Sequence, residues 1–264
     1  MFVAQIWTGN SARNFNYLIA CFETGEALAV DPLDHRKCLE RARREGLEIR
    51  QIVNTHEHAD HTGGNGPLVA ATGASVLAHW KAADRIPGGI QRGLRAGDRI
   101  TVGRTVELEC LDTPGHTMSH VCLMAHADTP ALFSGDTLFN AGAGNCHGGG
   151  HPSALYETFA EQLVRLPDAT RVYPGHDYLA NNLRFTLDRE PDNAAAARAL
   201  AEFGTHDPEH AHVTTVAEEK AINTFFRLRS PSVIARLREA FPDLPDDPDE
   251  KTVFLKLREL RNHW

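Results

Sequence analysis

The chain has 264 residues, of which 42% are hydrophobic and 23% charged, so it can bury a full core as one large domain or a larger plus a smaller one. Its formal net charge of −8 argues against a nucleic-acid face, which would need clustered Lys and Arg to neutralise phosphates. No stretch approaches the roughly 20 apolar residues of a membrane span, and the start, MFVAQIWTGN, lacks the pattern of an export signal. Five cysteines without a C-x-x-C pair suit a reduced compartment, where most would fill the core. We therefore expect a cytoplasmic protein with neither nucleic acid nor membrane as a partner.

The first part of the chain alternates short apolar runs with amphipathic stretches, which is typical of an α/β region. A helix is predicted over DHRKCLERARREG, with Asp34 as its N-cap and Gly46 as its stop, and another over SALYETFAEQLVRL behind Pro152. Strands are predicted over FVAQIW, NYLIACF, EALAVD, IRQIVNT, ASVLAH, TVELECLDT, HVCLMAH, PALFSGD and TRVYPG.

The later part of the chain loses its strand signals and becomes helical. Helices are predicted over LANNLRFTLDRE, over DNAAAARALAEFG with Asp192 as its cap, and over SPSVIARLREAF. The segment TVAEEKAINTFF opens with a capping box formed by Thr215 and Glu218. The tail should place four apolar side chains on one helix face: Val253, Leu257, Leu260 and Trp264. We predict a catalytic domain over residues 1–177 and an all-helical, substrate-binding domain over residues 178–264.

The segment THEHADHTGGN, residues 55–65, concentrates metal-ligating side chains on one loop. A strand that ends in T-H-x-H-x-D-H places His56 and His58 on one side of a turn and Asp60 and His61 on the other, so the four cannot easily converge on one ion. Two divalent metal ions are therefore predicted. Imidazole and carboxylate suit Zn, the first expectation, and also Fe and Mn. Three polar residues that directly follow predicted strands supply the remaining ligands: His116 in DTPGHT, Asp136 in FSGDTLF and His176 in VYPGHD.

Several other histidines receive a simpler interpretation. His120, four residues after His116, is expected to support the site without being a ligand. Seven more lie in ordinary surface-like contexts: His35, His79, His126, His206, His210, His212 and His263.

Taken together, these motifs resemble the metallo-β-lactamase superfamily over the whole chain. More closely, THEHADHTGGN, TPGHTMSH, SGDTLFNAGAGN, VYPGHDY and EEKAINTFFRLR look like the hydroxyacylglutathione hydrolases, the type II glyoxalases. The resemblance implies an αββα sandwich with metals in a cleft at its edge and a C-terminal all-helical domain. It also implies the distribution of ligands: His56, His58 and His116 on one metal, Asp60, His61 and His176 on the other, and Asp136 as the bridge.

The implied reaction is hydrolysis of a thioester, S-(2-hydroxyacyl)glutathione such as S-lactoylglutathione, to glutathione and a 2-hydroxy acid. Two cations acidify water to hydroxide at neutral pH, the hydroxide attacks the thioester carbonyl, and a metal stabilises the developing oxyanion. Because a thiolate is a good leaving group, no strong general acid is required. The catalytic carboxylates would be Asp136 and Asp60. Asp60 would also orient the nucleophile.

Recognition of glutathione matches the family only in part. The family carries a lysine and an aromatic residue, two positions apart, in the loop after GDTLF, where this chain has Asn145 and His147. Asn145 has no charge to pair with a glutathione carboxylate. Tyr178 matches a family tyrosine, and Arg258 and Arg261 stand where the family has an Arg and a Lys that face the anionic substrate. The simpler interpretation of these two arginines is a solvated basic helix face.

Other functions can be weighed against the same residues. Hydrolysis of a thioester of CoA or another thiol carrier stays open, as does lactone hydrolysis, whose ligand set is nearly identical. A β-lactamase typically lacks the bridging aspartate, a persulfide dioxygenase looks mononuclear and lacks the long helical tail, and a nuclease would carry an inserted domain and a basic groove. A non-catalytic metal-binding scaffold would tolerate loss of ligands, but all seven are present. The sequence makes no prediction about self-association.

Overall fold

Two facing β-sheets form the centre of the molecule in the computed structural model, which describes residues 1–264. The first sheet contains six strands: β1 (Phe2–Trp7), β2 (Phe15–Ala20), β3 (Glu26–Val30), β4 (Glu48–Asn54), β5 (Ser75–His79) and β6 (Arg92–Leu94). The remaining strands are β7 (Arg99–Val102), β8 (Val106–Asp112), β9 (Val121–Ala125), β10 (Ala131–Gly135), the hairpin of β11 (Leu138–Phe139) and β12 (Gly142–Ala143), and β13 (Arg171–Pro174). The strand order is β1-β2-β3-β4-β5-β6 in the first sheet and β13-β10-β9-β8-β7 in the second.

Parallel pairs determine where the helices of the α/β region lie. Strands β3 to β6 are parallel to one another, as are β10 and β13. A parallel neighbour requires a crossover, which is usually helical. Three helices precede β5 and a fourth precedes β13: α1 (His35–Glu45), α2 (Ala59–Thr62), α3 (Asn65–Thr72) and α4 (Pro152–Glu161). As predicted, the Asp34 side chain caps α1, and Gly46 ends it with a left-handed φ of 67°.

The region after β13 is helical, as predicted. Its helices are α5 (Leu179–Arg189), α6 (Ala194–Phe203), α7 (Val216–Ile222), α8 (Pro231–Ala240) and α9 (Glu250–Arg261). Short 3-10 turns occupy Trp80–Ala82, Leu163–Arg165, Pro208–His210 and Thr224–Phe226. No helix of the chain combines the length and the apolar character needed to cross a bilayer.

Several local predictions need correction. Asn193, not Asp192, caps α6, because its side chain accepts the hydrogen bond of the Ala196 N–H group at 2.9 Å. Trp264 lies beyond the end of α9 and is 49% exposed, so it does not share the buried face of that helix. Strands β6 and β7, helix α3 and the β11–β12 hairpin carry weak local signals and were not predicted.

Three apolar layers give the αββα arrangement predicted from the motifs. Between the sheets, Tyr17 of β2 packs edge-on against Phe133 of β10 and Tyr173 of β13, with ring centroids 5.5 and 5.6 Å apart. The outer face of the first sheet is covered by α1 and α3 through residues such as Cys38 and Leu68. Four of the five cysteines are buried, as expected of core residues.

The helical region packs on the outer face of the second sheet. Phe225 contacts Phe254 of α9 and Phe185 of α5, with centroids 5.1 and 6.4 Å apart, and Phe159 of α4 lies 5.3 Å from Phe254. These rings belong to one cluster that includes Val172 of β13. Because this core is shared, the helical region and the sheets should unfold together. Division into two domains at residues 177 and 178 stays a prediction.

Phe254→Ala should therefore destabilise the whole protein. The ring is fully buried, so its removal should lower the free energy of unfolding by about 3–5 kcal/mol. Phe22→Ala is the matched control, since Phe22 is 73% exposed and its loss should cost less than about 1 kcal/mol. Urea unfolding followed by circular dichroism measures both. Equal midpoints for the two variants would contradict the shared core.

Candidate dinuclear metal centre

Seven side chains predicted as ligands meet at one edge of the two sheets. They lie on segments that follow β4, β8, β10 and β13, whose ends converge there. The residues are His56 and His58 after β4, Asp60 and His61 on α2, His116 after β8, Asp136 after β10 and His176 after β13. All but His58 and Asp60 are buried. The fold thus brings together every residue of the predicted ligand set.

Three histidines form a first group of potential ligands. The Nδ1 atom of His58 lies 3.0 Å from Nε2 of His56 and 3.0 Å from Nε2 of His116. Ring nitrogens this close face a common point. The trio has the geometry of three ligands on one cation.

A second group lies beside the first. The Nε2 atoms of His61 and His176 are 3.2 Å apart, and the Asp60 carboxylate lies 3.7 Å from His61 and 3.5 Å from His176. The three ligand atoms can therefore share a second cation.

Asp136 lies between the two groups. Its Oδ2 atom is 3.5 Å from Nε2 of His116 and 3.2 Å from Nε2 of His176. Its Oδ1 atom is buried and accepts no hydrogen bond, although Nε2 of His61 lies 3.4 Å away. A buried carboxylate oxygen without a donor is costly. A cation would satisfy it, so this carboxylate fits a bridging position.

The outer nitrogens of four histidines fix the hydrogen positions on the rings. Each faces an oxygen that can only accept a hydrogen bond, so it must carry the hydrogen. In the neutral ring the inner nitrogen then has a free lone pair. The contacts are His58 Nε2 to Gly148 O (3.0 Å), His61 Nδ1 to Asp31 Oδ2 (3.0 Å), His116 Nδ1 to Asn145 O (2.7 Å) and His176 Nδ1 to Ala12 O (2.7 Å). The residues therefore suit a dinuclear metal site.

The charge states also suit cations. Burial lowers the pKa of His56 and of His116, which keeps both rings neutral. Burial alone would raise the pKa of Asp136, but His176 and His61 hold it well below its usual range. Burial would lower the pKa of His61, but Asp136 and Asp31 raise it well above normal. A cation in the second group would therefore replace a proton.

Asp31 was not singled out in the sequence, yet it organises the histidine loop. Its φ of 48° is left-handed, and its carboxylate accepts from the Thr55 amide at 2.7 Å and contacts Nδ1 of His61 at 3.0 Å. The only local signal was its position at the end of the strand EALAVD. Its role depends on which loop lies next to it in space.

Glu57 and His120 also support the site. The Glu57 carboxylate accepts from Ser119 at 2.9 Å and from Arg85 at 2.7 Å, which ties the histidine loop to the segment that carries His116. His120 accepts the Asp136 backbone N–H at 3.1 Å through Nε2. As expected, His120 supports the site and is not a ligand, because its Nε2 atom is already occupied by this hydrogen bond.

His79 differs from its prediction. Its sequence context predicts a surface position, but the side chain is fully buried because β5 is covered on both faces. Its Nδ1 accepts from the Lys81 amide at 3.2 Å, and its Nε2 lies 3.5 Å from Asp112. It belongs to neither ligand group.

A pocket of about 250 Å³ lies beside the second group, between the β12 loop and the C-terminus. All five residues predicted to contact substrate line it, together with an aromatic wall that the sequence did not predict. The lining is Phe139, Ala143, Asn145, His147, Tyr178, Arg258, Arg261, Asn262 and Trp264. Tyr178 stacks on His176 with centroids 4.9 Å apart, which connects the pocket to the ligand cluster.

The two arginines of the pocket differ. Arg258 is only 3% exposed, so the interpretation as a solvated basic face is wrong for it. Burial lowers its pKa to about 10, which still leaves it charged at neutral pH. Arg261 is half-buried and donates to Oδ1 of Asn182 at 3.1 Å.

Family comparisons divide the chain in the same place as the change from strands to helices. The family model described as Metallo-beta-lactamase superfamily matches residues 17–176. The model described as Hydroxyacylglutathione hydrolase C-terminus matches residues 177–264.

Full-length relatives and solved structures agree with these matches. The hydroxyacylglutathione hydrolases of Polaromonas sp. strain JS666 and Nitrosococcus oceani are 69% and 65% identical over 264 residues, which is 100% of both chains in each case. The structure of ETHE1 from Myxococcus xanthus matches with a TM-score of 0.68 and 27% identity, over 99% of this chain and 98% of that one. TTHA1623 in a di-iron-bound form matches with a TM-score of 0.58 and 26% identity, over 85% of this chain and 100% of that one. The chain therefore belongs to the hydroxyacylglutathione hydrolase family of the metallo-β-lactamase superfamily.

Proposed function

We infer that this protein is a metal-dependent hydrolase of S-(2-hydroxyacyl)glutathione thioesters, such as S-lactoylglutathione, which it cleaves to glutathione and a 2-hydroxy acid. The observation that carries this inference is the cluster of seven ligand side chains around Asp136, next to a pocket with a basic wall. The names of the full-length relatives support the substrate class.

One cation would be held by the first group and the other by the second, with Asp136 shared between them. The groups are His56, His58 and His116, and Asp60, His61 and His176. Zinc is the first candidate because tetrahedral imidazole and carboxylate ligation suits it, and the di-iron form of TTHA1623 supports iron as the alternative. Cations at these positions supply Lewis acidity, which lowers the pKa of water and stabilises negative charge on a carbonyl oxygen.

The chain's own residues would orient the reactants. The Asp60 side chain is 41% exposed and Nδ2 of Asn14 donates to it at 3.2 Å, so its carboxylate can accept a hydrogen bond from the attacking water. The Tyr178 hydroxyl donates to the Ala12 carbonyl at 3.0 Å, and burial raises its pKa to about 12. This tyrosine would therefore act as a wall of the pocket and not as an acid. Because a thiolate is a good leaving group, the reaction does not need a general acid.

The pocket beside Tyr178 would hold the thiol carrier. Arg261 is its half-buried cation and suits a carboxylate of glutathione. Asn145 and His147 are exposed on the opposite wall and add no fixed positive charge. We therefore propose weaker discrimination for glutathione than a lysine at position 145 would provide.

A kinetic panel at fixed metal content tests the proposed function. The substrates are S-lactoylglutathione, other glutathione thioesters, acyl-CoAs, a lactone and a β-lactam. We expect the highest kcat/KM for S-lactoylglutathione, and we expect strong chelation to abolish hydrolysis reversibly. A higher kcat/KM for an acyl-CoA or for the lactone would show that this compound class, and not glutathione thioesters, is the substrate. Full activity with one ion or none would overturn the dinuclear assignment.

Gly175→Ala should damage the metal centre by steric means alone. A Cβ atom there would lie 2.3 Å from Oδ1 of Asp136 and 2.9 Å from Cε1 of His61. We expect at least one of the two ions to be lost, measured by metal analysis after dialysis, together with most of the turnover. Gly66→Ala is the control, since a Cβ there meets nothing within 4 Å. Full metal content in Gly175→Ala would mean that Asp136 does not bridge.

Asn145→Lys combined with His147→Tyr should improve glutathione binding. A lysine–carboxylate contact at a partly exposed site is worth about 1–3 kcal/mol, or roughly a 5- to 150-fold change in KM. We expect a lower KM for S-lactoylglutathione and a nearly unchanged kcat. Asn145→Gln with His147→Tyr is the uncharged control. No gain over this control would show that other residues already supply the contact.

A further inference from the structure

The segment Asn140–Gly144, here called the strap, follows β11, contains β12 and leads to Asn145. Besides the pairing of β12 with β11, its backbone is held by side chains of the helical region, all of them buried. Nδ2 of Asn182 donates to Asn140 O (2.9 Å), the Glu219 carboxylate accepts from the Ala141 N–H (2.9 Å), Nδ2 of Asn223 donates to Gly142 O (3.2 Å), and Nη1 of Arg258 donates to Ala143 O (2.8 Å) and Gly144 O (3.0 Å).

The strap has a conformation that needs this support. Ala141 has a φ of 57°, in the left-handed region that a side chain disfavours, at a cost of about 1–2 kcal/mol. Glu219, which accepts its N–H, also accepts from Thr214 at 2.7 Å and from Asn223 at 2.8 Å. The carboxylate that holds the turn is therefore itself fixed.

The strap also contacts the metal centre. The Gly144 N–H donates to Thr137 O at 3.2 Å, and a Cβ on Gly144 would lie 1.8 Å from the Asp136 carbonyl oxygen. The next carbonyl, that of Asn145, accepts from Nδ1 of His116 at 2.7 Å. A shift of the strap would therefore rotate or release the His116 ring.

We propose that Arg258 is a positioning residue for the metal centre: it holds the strap so that the Asn145 carbonyl orients His116. This inference rests on the proposed metal site. Arg258 is 3% exposed, its Nη1 donates to two carbonyls, and its Nε donates to Asn262 at 3.1 Å. Arg261, one helical turn away in the same pocket, makes no hydrogen bond to the strap and remains the cation for substrate.

The test compares Arg258→Met with Arg258→Lys and with Arg261→Met, each in the cobalt(II)-loaded full-length protein. Loss of a group that orients a ligating histidine costs about 10- to 100-fold in metal affinity, so Arg258→Met should release one cobalt ion to a competing chelator at roughly tenfold lower chelator concentration. Its cobalt absorption band should change, and kcat should fall more than KM rises. Arg258→Lys keeps a donor within reach of the carbonyls and should restore part of the affinity. Arg261→Met should retain cobalt and raise KM.

Normal cobalt retention and spectrum in folded Arg258→Met, with a raised KM like that of Arg261→Met, would overturn the proposal and make Arg258 a substrate contact. If circular dichroism shows that Arg258→Met does not fold, Asn182→Asp carries the test. It removes the donor to Asn140 O but keeps an acceptor for Arg261, and it should weaken retention of one ion, whereas unchanged retention would count against the strap. The retention assay contains no thioester, so its outcome does not depend on whether the proposed substrate is correct.

Discussion

The convergence of histidine nitrogens and carboxylate oxygens on one small volume is the constraint on which the rest of the structure depends. Such atoms repel one another unless cations lie between them, and burial increases the cost. Hydrogen bonds to the outer ring nitrogens hold the histidines in place against this repulsion. Nδ1 of His116 bonds to the Asn145 carbonyl, and Nδ1 of His61 bonds to Asp31. The rings cannot turn away, so the site stays ready for metal.

The two sheets make this convergence available. Strands β4, β8, β10 and β13 end at one edge of the two sheets, where β10 and β13 are parallel neighbours, and the segments that follow these four strands carry the ligands. Asp136 lies between the two ligand groups, and the backbone of Gly175 passes close to its carboxylate. Packing of Tyr17 against Phe133 and Tyr173 keeps the sheets in register.

The helical region serves the site in two ways. Its C-terminal end forms a wall of the pocket through Arg261 and Trp264, and its buried polar side chains hold the strap behind the metal ligands. Buried polar groups such as the Glu219 carboxyl and the Arg258 guanidinium are stable there because backbone groups of the strap and nearby side chains satisfy their hydrogen bonds. The pocket wall and the contacts to the strap thus come from the same helices.

The amino-acid sequence by itself determined most strands of both sheets, all except β6 and β7, together with the caps of α1 and α7 and the ligand set, because short-range spacing and residue chemistry carry those signals. It assigned His79 to the surface and left two interpretations open for Arg258. Only the tertiary structure decided that His79 and Arg258 are buried and that Asp31 holds His61. These properties depend on neighbours from distant parts of the chain, such as residues 143 and 144 against residue 258. No local pattern records which backbone carbonyl a side chain will meet after folding.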